Sequence, residues 1–234
     1  MTRAPESAAA AVLRMTSELV ARGLTPANLD GVCRVAATAL GVEGLAVTLS
    51  SRTGIRAVIG GSDEVSRRIE AIQLTLGEGP CTEATTTGGA VIASDVLAAT
   101  ETRWPLFVRS LGDLPVRSVF AVPMVVGTVS VGSLDTYASR AGGLGGLDVA
   151  EMTALAAAVV VAVLALRGTG TGEGQVAFDV DPAVYQATGM VAAALGSPDD
   201  EALDRLRAMA FLDGRLLEDV ARDVVEGRLP AALL

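Results

Sequence analysis

The sequence predicts an α+β fold in which an antiparallel sheet with flanking helices is followed by a small all-α unit of three helices. Three observations predict it. Helical apolar spacing opens the chain, period-two patterns in hairpin arrangement occupy its middle, and helical patterns with clear end signals return from residue 149 onward. A doubly wound parallel sheet would need a regular alternation of strand and helix, and the chain lacks one.

Residues 6–21 read as a helix, with Val12, Leu13, Thr16, Leu19 and Val20 at helical spacing and Gly23 placed to end it. Thr25 offers an N-cap and Pro26 a first helical position for a second helix. Its residues Leu29, Val32, Cys33, Ala36 and Leu40 share one face up to Gly41. The period then becomes two. Leu45, Val47 and Leu49 alternate with Ala46, Thr48 and Ser50, and Ile55, Ala57 and Ile59 repeat the pattern beyond the Arg52-Thr53-Gly54 turn, which makes a β-hairpin. Residues 63–74 read as a helix, residues 77–81 as a turn into a short helix, and residues 90–93 as a brief strand. A second strand pair, 117–126 and 128–137, turns at Gly127, and Pro123 within it demands an edge or a bulge. After a glycine-rich loop at 142–146, Asp148 and Glu151 have capping-box spacing for a long helix.

Residues 168–174, Gly-Thr-Gly-Thr-Gly-Glu-Gly, read as a linker. The chain thus divides into a larger α+β unit at 1–167, a linker at 168–177 and a three-helix unit at 178–234. In the last unit Val184, Ala187, Val191, Ala194 and Leu195 mark a helix stopped at Gly196. Ser197 as N-cap, Pro198 at the first position and Asp200 at the third open the next, with Leu203, Leu206, Met209 and Ala210 inward and Gly214 at its end. The pairs Leu216-Leu217, Val220-Ala221 and Val224-Val225 build the third. A bundle of about 55 residues is marginal alone, so it is expected to lean on a partner or on a second copy.

Composition removes several functions. The chain has 234 residues, half of them hydrophobic, and a formal charge of -9, with arginine as its only basic residue type and no histidine. A net negative field does not suit coating of duplex DNA. Without histidine there is no Ser/His/Asp or Cys/His nucleophile and no histidine-ligated metal of the common kinds. Two cysteines, Cys33 and Cys81, are too few for a disulfide framework, which fits a reducing compartment. Neither Gly-x-Gly-x-x-Gly nor Gly-x-x-x-x-Gly-Lys is present. The most apolar run, 152–166, is shorter than the roughly 20 residues of a membrane span and reads as a buried or interface helix. No export signal is apparent in the first residues.

Among candidate site residues, Cys81 follows Gly-Glu-Gly-Pro at a helix start, where backbone amides would lower its pKa; it reads as a redox or adduct sensor, or as a small buried residue. Asp95 and Arg103 would orient a ligand or pair locally, and Asp135 reads as a turn-facing carboxylate near a strand end.

Residues 77–137, with LGEGPC, DVLAATETRWPLF and RSVFAVPMVVGTVSVGSLDTY, resemble the second half of a GAF sensor domain. The resemblance implies a ligand pocket between the sheet and its covering loops, with Trp104 and Phe107 beside Pro105 as lining and Phe120 on the sheet floor; core packing is the other reading of the three. It names no effector or cofactor. One GAF branch reduces free methionine sulfoxide with clustered cysteines, a pattern this chain lacks, so no enzymatic activity is expected.

Residues 184–225 resemble the ANTAR domain, an RNA-binding three-helix module of bacterial antitermination regulators. The resemblance implies a cytoplasmic, dimeric regulator that binds paired RNA hairpins and so prevents terminator formation. Its recurrent small and basic positions fall on Ala187, Gly189, Ala202, Leu206 with Arg207, and Ala210. Where many members carry Lys, this chain has Thr188. Arg207 would reach a phosphate or stack on a loop base, with Arg205 and Arg215 gathered near it; solvated helix-face arginines are the other reading of the three. Residues 175–234 hold five arginines against eleven acidic residues, so RNA binding would require the arginines on one open face. The expected mechanism is a shift between dimer arrangements, with the 152–166 run and the first helix in a two-fold four-helix contact. The alternative is a ligand-sensing dimer whose acidic bundle contacts a protein and binds no RNA.

Overall fold

The structure is a computed structural model that describes residues 7–22, 29–50, 56–168 and 182–234. Gly23, Thr25, Pro26, the 52–54 turn and the linker beyond Gly168 lie outside the described residues. Helix α1 (Ala8–Ala21) starts at Ser7, whose hydroxyl accepts from the Ala10 amide. Helix α2 (Asp30–Leu40) ends at Gly41 in the left-handed conformation that glycine adopts without penalty. Strands β1 (Gly44–Ser50) and β2 (Arg56–Gly61) form the expected hairpin arms. Then come α3 (Glu64–Leu76), with an Asp63–Ser66 capping box, α4 (Pro80–Thr87) and β3 (Val91–Ala93). Helix α5 (Pro105–Ser110) is not predicted by periodicity, because six residues are too few to display a period. Strands β4 (Ser118–Val126) and β5 (Val129–Ala138) and helix α6 (Val149–Gly168) complete this part, with the Asp148 carboxylate accepting the Ala150 amide.

The five strands lie in the order β2-β1-β5-β4-β3, every pair antiparallel. Pro123 meets both expectations at once. Beyond Ala121 strand β4 no longer pairs with β3, and its register with β5 shifts just after Met124. Side chains alternate along β4: Phe120, Val122 and Met124 pack into one core with Val12, Val32, Cys33, Met152, Leu155 and Val159, while Val119 and Ala121 join Ile69, Ile72, Ala84, Trp104 and Phe107 on the other face. Helix α6 is therefore buried against α1 and the sheet, leaving Val161 and Leu164 exposed. No helix among the described residues is long and apolar enough to cross a membrane.

Gly132 is fixed by strand approach. Its φ is +155°, and a Cβ there would run into the Thr48 carbonyl oxygen of β1. Gly132→Ala is expected to cost at least about 1–3 kcal/mol, the range for forcing atoms into a packed core, and to lower the thermal midpoint accordingly.

The remaining helices are α7 (Ala183–Leu195), α8 (Asp199–Asp213) and α9 (Leu217–Val225), with a short 3-10 turn at Ala231–Leu233. Their core contains Val184, Ala187, Val191, Ala202, Leu203, Leu206, Ala210, Leu217, Val220, Ala221 and Val224. Three expectations are corrected. Ala194 and Leu195 are exposed, and Thr188 takes an inward place by donating its hydroxyl to the Val184 carbonyl. The N-cap of α8 is Pro198, not Ser197, because extended Pro198 directly precedes the first helical residue, Asp199. Met209 is only half-buried. The bundle does lean on a neighbour, and the neighbour is α3 of the same chain: the Leu217 amide donates to Thr75 Oγ1 at 3.0 Å and Arg207 Nε to the Leu74 carbonyl at 3.2 Å.

Candidate functional site

Between the sheet and helices α3 and α4 lies a buried polar cluster. Helix α3 turns Glu70 and Gln73 inward, one turn apart and beside Ile69 and Ile72, so the same stripe that buries the isoleucines buries them. Cys81 enters from the first turn of α4. Gly79, at φ +135°, lets the chain pass so close to Gln73 that any Cβ would strike that side chain, and the Cys81 amide then donates to Gln73 Oε1 at 2.8 Å. Alternation along β5 sends Ser133 and Asp135 inward, β1 adds Thr48, and β2 adds Arg56.

Gln73 Nε2 donates to Glu70 Oε1 at 2.8 Å, and Ser133 Oγ donates to Asp135 Oδ2 at 2.6 Å. Thr48 Oγ1 lies 2.8 Å from Ser133 Oγ and 3.9 Å from Cys81 Sγ. Arg56 Nη1 donates to Thr82 Oγ1 at 2.9 Å and lies 3.9 Å from Cys81 Sγ. One donor atom each from Glu70, Cys81 and Asp135 fall within 4.8 Å of one another. Glu70 Oε2 and Asp135 Oδ1 are buried with no hydrogen-bond partner among the described residues.

Burial, then the neighbouring Asp135, pushes the Glu70 carboxyl well above the ordinary glutamate value. Burial pushes Asp135 up to about 7, against the Ser133 hydrogen bond and the Arg56 charge. Of the two sequence readings of Cys81 the structure shows the buried one: the side chain is fully buried, burial raises its thiol, and Glu70 and Asp135 raise it further, against the lowered value expected at a helix start. Asp135 is a correction, since it sits inside β5 and is buried, facing no turn. Cys33 lies in the other core and is raised by burial.

The five candidate ligand residues do not form one pocket. Cys81 belongs to the polar cluster. Trp104 and Phe107 share the apolar cluster beside it, with Trp104 Nε1 donating to Glu83 at 3.0 Å and the Arg103 guanidinium 4.0 Å above the indole. Phe120 is on the opposite face of the sheet, because it alternates with Val119 and Ala121. Asp95 is held by Arg117 in a two-point pair at 2.9 and 2.6 Å, which keeps its carboxyl below the ordinary value.

The RNA candidates also part company. Ala187 and Thr188 are inside the bundle and present no surface, while Gly189 faces open space. Arg205 pairs with Glu201 at 2.8 Å and donates to the Leu234 carbonyl. Arg215 pairs with Asp223 at 2.7 Å. Arg207 pairs with Asp204 and lies over the C-terminal turn of α3, where the Leu74 carbonyl and the negative end of the helix attract it; burial there lowers its pKa. The three arginines are engaged separately and do not share the one open face that RNA binding would require.

Sequence reasoning missed Glu70, Gln73 and Arg56 and placed Asp135 at a turn. Its one available signal was a polar residue in an apolar register: Glu70 next to Ile69, and Asp135 in step with Ser133 and Tyr137.

A profile of the GAF domain family matches residues 27–164. No curated protein matches the chain. Among solved structures, free methionine-R-sulfoxide reductase from Neisseria meningitidis is similar at 19% identity and a TM-score of 0.48, covering 73% of this chain and 98% of that one. The GAF domain of an Acinetobacter phosphoenolpyruvate-protein phosphotransferase gives 12% identity and 0.46, over 68% and 95%. The phycoerythrobilin-bound GAF domain of a cyanobacterial phytochrome gives 15% and 0.42, over 69% and 96%. With more than half of its length matched by that profile, the chain belongs to the GAF domain family.

Proposed function

We propose that the protein is a non-enzymatic, cytoplasmic regulator in which α3 couples a sensing site to the C-terminal bundle. One observation carries this reading. The helix that supplies Glu70 and Gln73 to the buried cluster also supplies Leu74 and Thr75 to the bundle contact, less than two turns away. A change in how α3 packs over the cluster would shift the equilibrium between docked and released bundles. The resemblance of residues 184–225 to the ANTAR domain supports an RNA of paired hairpins as the target of the released bundle. In the docked state Arg207 is engaged on α3. A homodimer through the outer face of α1 and α6, where Leu13, Val161 and Leu164 are exposed, would fit this reading.

The test is filter binding of two-hairpin RNA to the full chain and to Thr75→Glu, which puts a charge into the contact. Release is expected to raise affinity at least tenfold, with binding that falls steeply as salt rises. The acidic pairing of Arg205, Arg207 and Arg215 favours a second reading, a bundle that contacts protein. Absence of RNA binding by both proteins at low salt would decide for it.

A further inference from the structure

We infer that Glu70, Cys81 and Asp135 form a coordination site for one thiophilic divalent transition-metal ion, and that this ion is the effector. The inference rests on the sensing role proposed above for the α3–α4 cluster and adds the class of ligand.

Three donors of two kinds converge from three separate elements, α3, α4 and β5, within 4.8 Å. In a tetrahedral site with a metal–sulfur bond of about 2.3 Å and metal–oxygen bonds of about 2.0–2.2 Å, ligand atoms stand about 3.5 Å apart.

The hydrogen bonds divide each carboxylate in the way that metal ligands are divided. On Glu70, Oε1 is held by Gln73 and Oε2 is buried without a partner among the described residues. On Asp135, Oδ2 is held by Ser133 and Oδ1 is buried without one. A buried acceptor with no donor is costly, and a cation satisfies both acceptors at once. Gln73 and Ser133 then have the orienting role that groups behind metal ligands commonly have.

Charge leads to the same conclusion. Once an ion has displaced their protons, the two carboxylates and the thiolate carry three negative charges, and Arg56, 3.9 Å from the sulfur, carries one positive charge. A divalent ion brings the buried group to neutrality. A thiolate beside two carboxylates favours zinc, cobalt(II) or iron(II) over magnesium or calcium, which take oxygen ligands. Three protein ligands leave a fourth position for water or a small molecule.

The experiment is titration of cobalt(II) into the full, chelator-stripped chain. We expect one equivalent to produce a thiolate-to-cobalt charge-transfer band in the near ultraviolet together with visible bands of tetrahedral intensity. Cys81→Ser should abolish the thiolate band, Cys33→Ser should keep it, and Asp135→Asn should weaken binding at least tenfold while keeping the band. Circular dichroism of each variant establishes that it is folded. Absence of a thiolate band in the wild-type chain, or its survival in folded Cys81→Ser, would overturn the site. Amide exchange at α3 and α8 with and without zinc separates the two proposals. Binding at Cys81 without any change there leaves the site standing as a metal centre but removes the ion as effector. RNA binding gained by Thr75→Glu in a chain that takes up no metal refutes the metal and keeps the coupling.

Discussion

Leu206→Ala is expected to unfold the C-terminal bundle while leaving the GAF domain folded. Leu206 is among the largest fully buried side chains, inward on α8 between α7 and α9. Truncating such a leucine costs about 2–5 kcal/mol, and a core of this size supplies only about 3–5 kcal/mol. The check is a two-probe melt. Helical signal equal to the bundle's share should be lost at ambient temperature, residues 183–225 should become protease-sensitive, and Trp104, inside the GAF domain, should still report a cooperative transition. A single cooperative melt with full starting helicity would refute it.

The second large effect is a pH dependence of stability centred on Asp135. Its carboxyl rises from the ordinary 3.8 to about 7 in the fold, so the folded state binds the proton more tightly than the unfolded chain does. The stabilisation is complete below the unfolded value and is lost as pH rises through the folded one, a total of about 4 kcal/mol between roughly pH 4 and pH 7. Glu70, raised for the same reason, adds to the slope with the same sign. Asp135→Asn keeps an acceptor for Ser133 and removes the charge. Urea midpoints measured in chelator across that range should fall for the wild-type chain and fall distinctly less for the variant. Parallel curves would show that Asp135 titrates normally.

The legible part of the fold follows from local rules. The two opening helices, the strand pair around Gly127, the position of Pro123 at a lost neighbour and a bulge, and the glycine ends of the helices depend on period, φ preference and missing donors, all of which one residue and its near neighbours express. Helix ends were less exact where two cap sequences competed, as at Ser197 and Pro198. Helix α5 was too short to leave a pattern.

The candidate site was legible at Cys81, as one of two readings, and at Asp135 as a residue but not as a buried one. A thiol at a helix start is activated by local amides, yet in the fold it is surrounded by carboxylates from residues 11 and 54 positions away, and their effect with burial outweighs the local one. Phe120 shows the same limit, because its partners depend on which sheet face the alternation turns inward.

By itself, then, the sequence determined most element types, the antiparallel strand pairs and the absence of histidine chemistry, since these depend on composition and on short-range pattern. Only the tertiary structure decided that Glu70, Cys81 and Asp135 converge, that Arg207 caps α3 with no open face of its own, and that one helix touches both places. The reason is physical: burial and long-range charge set pKa values and free valences, and both depend on neighbours that folding brings together from distant parts of the chain.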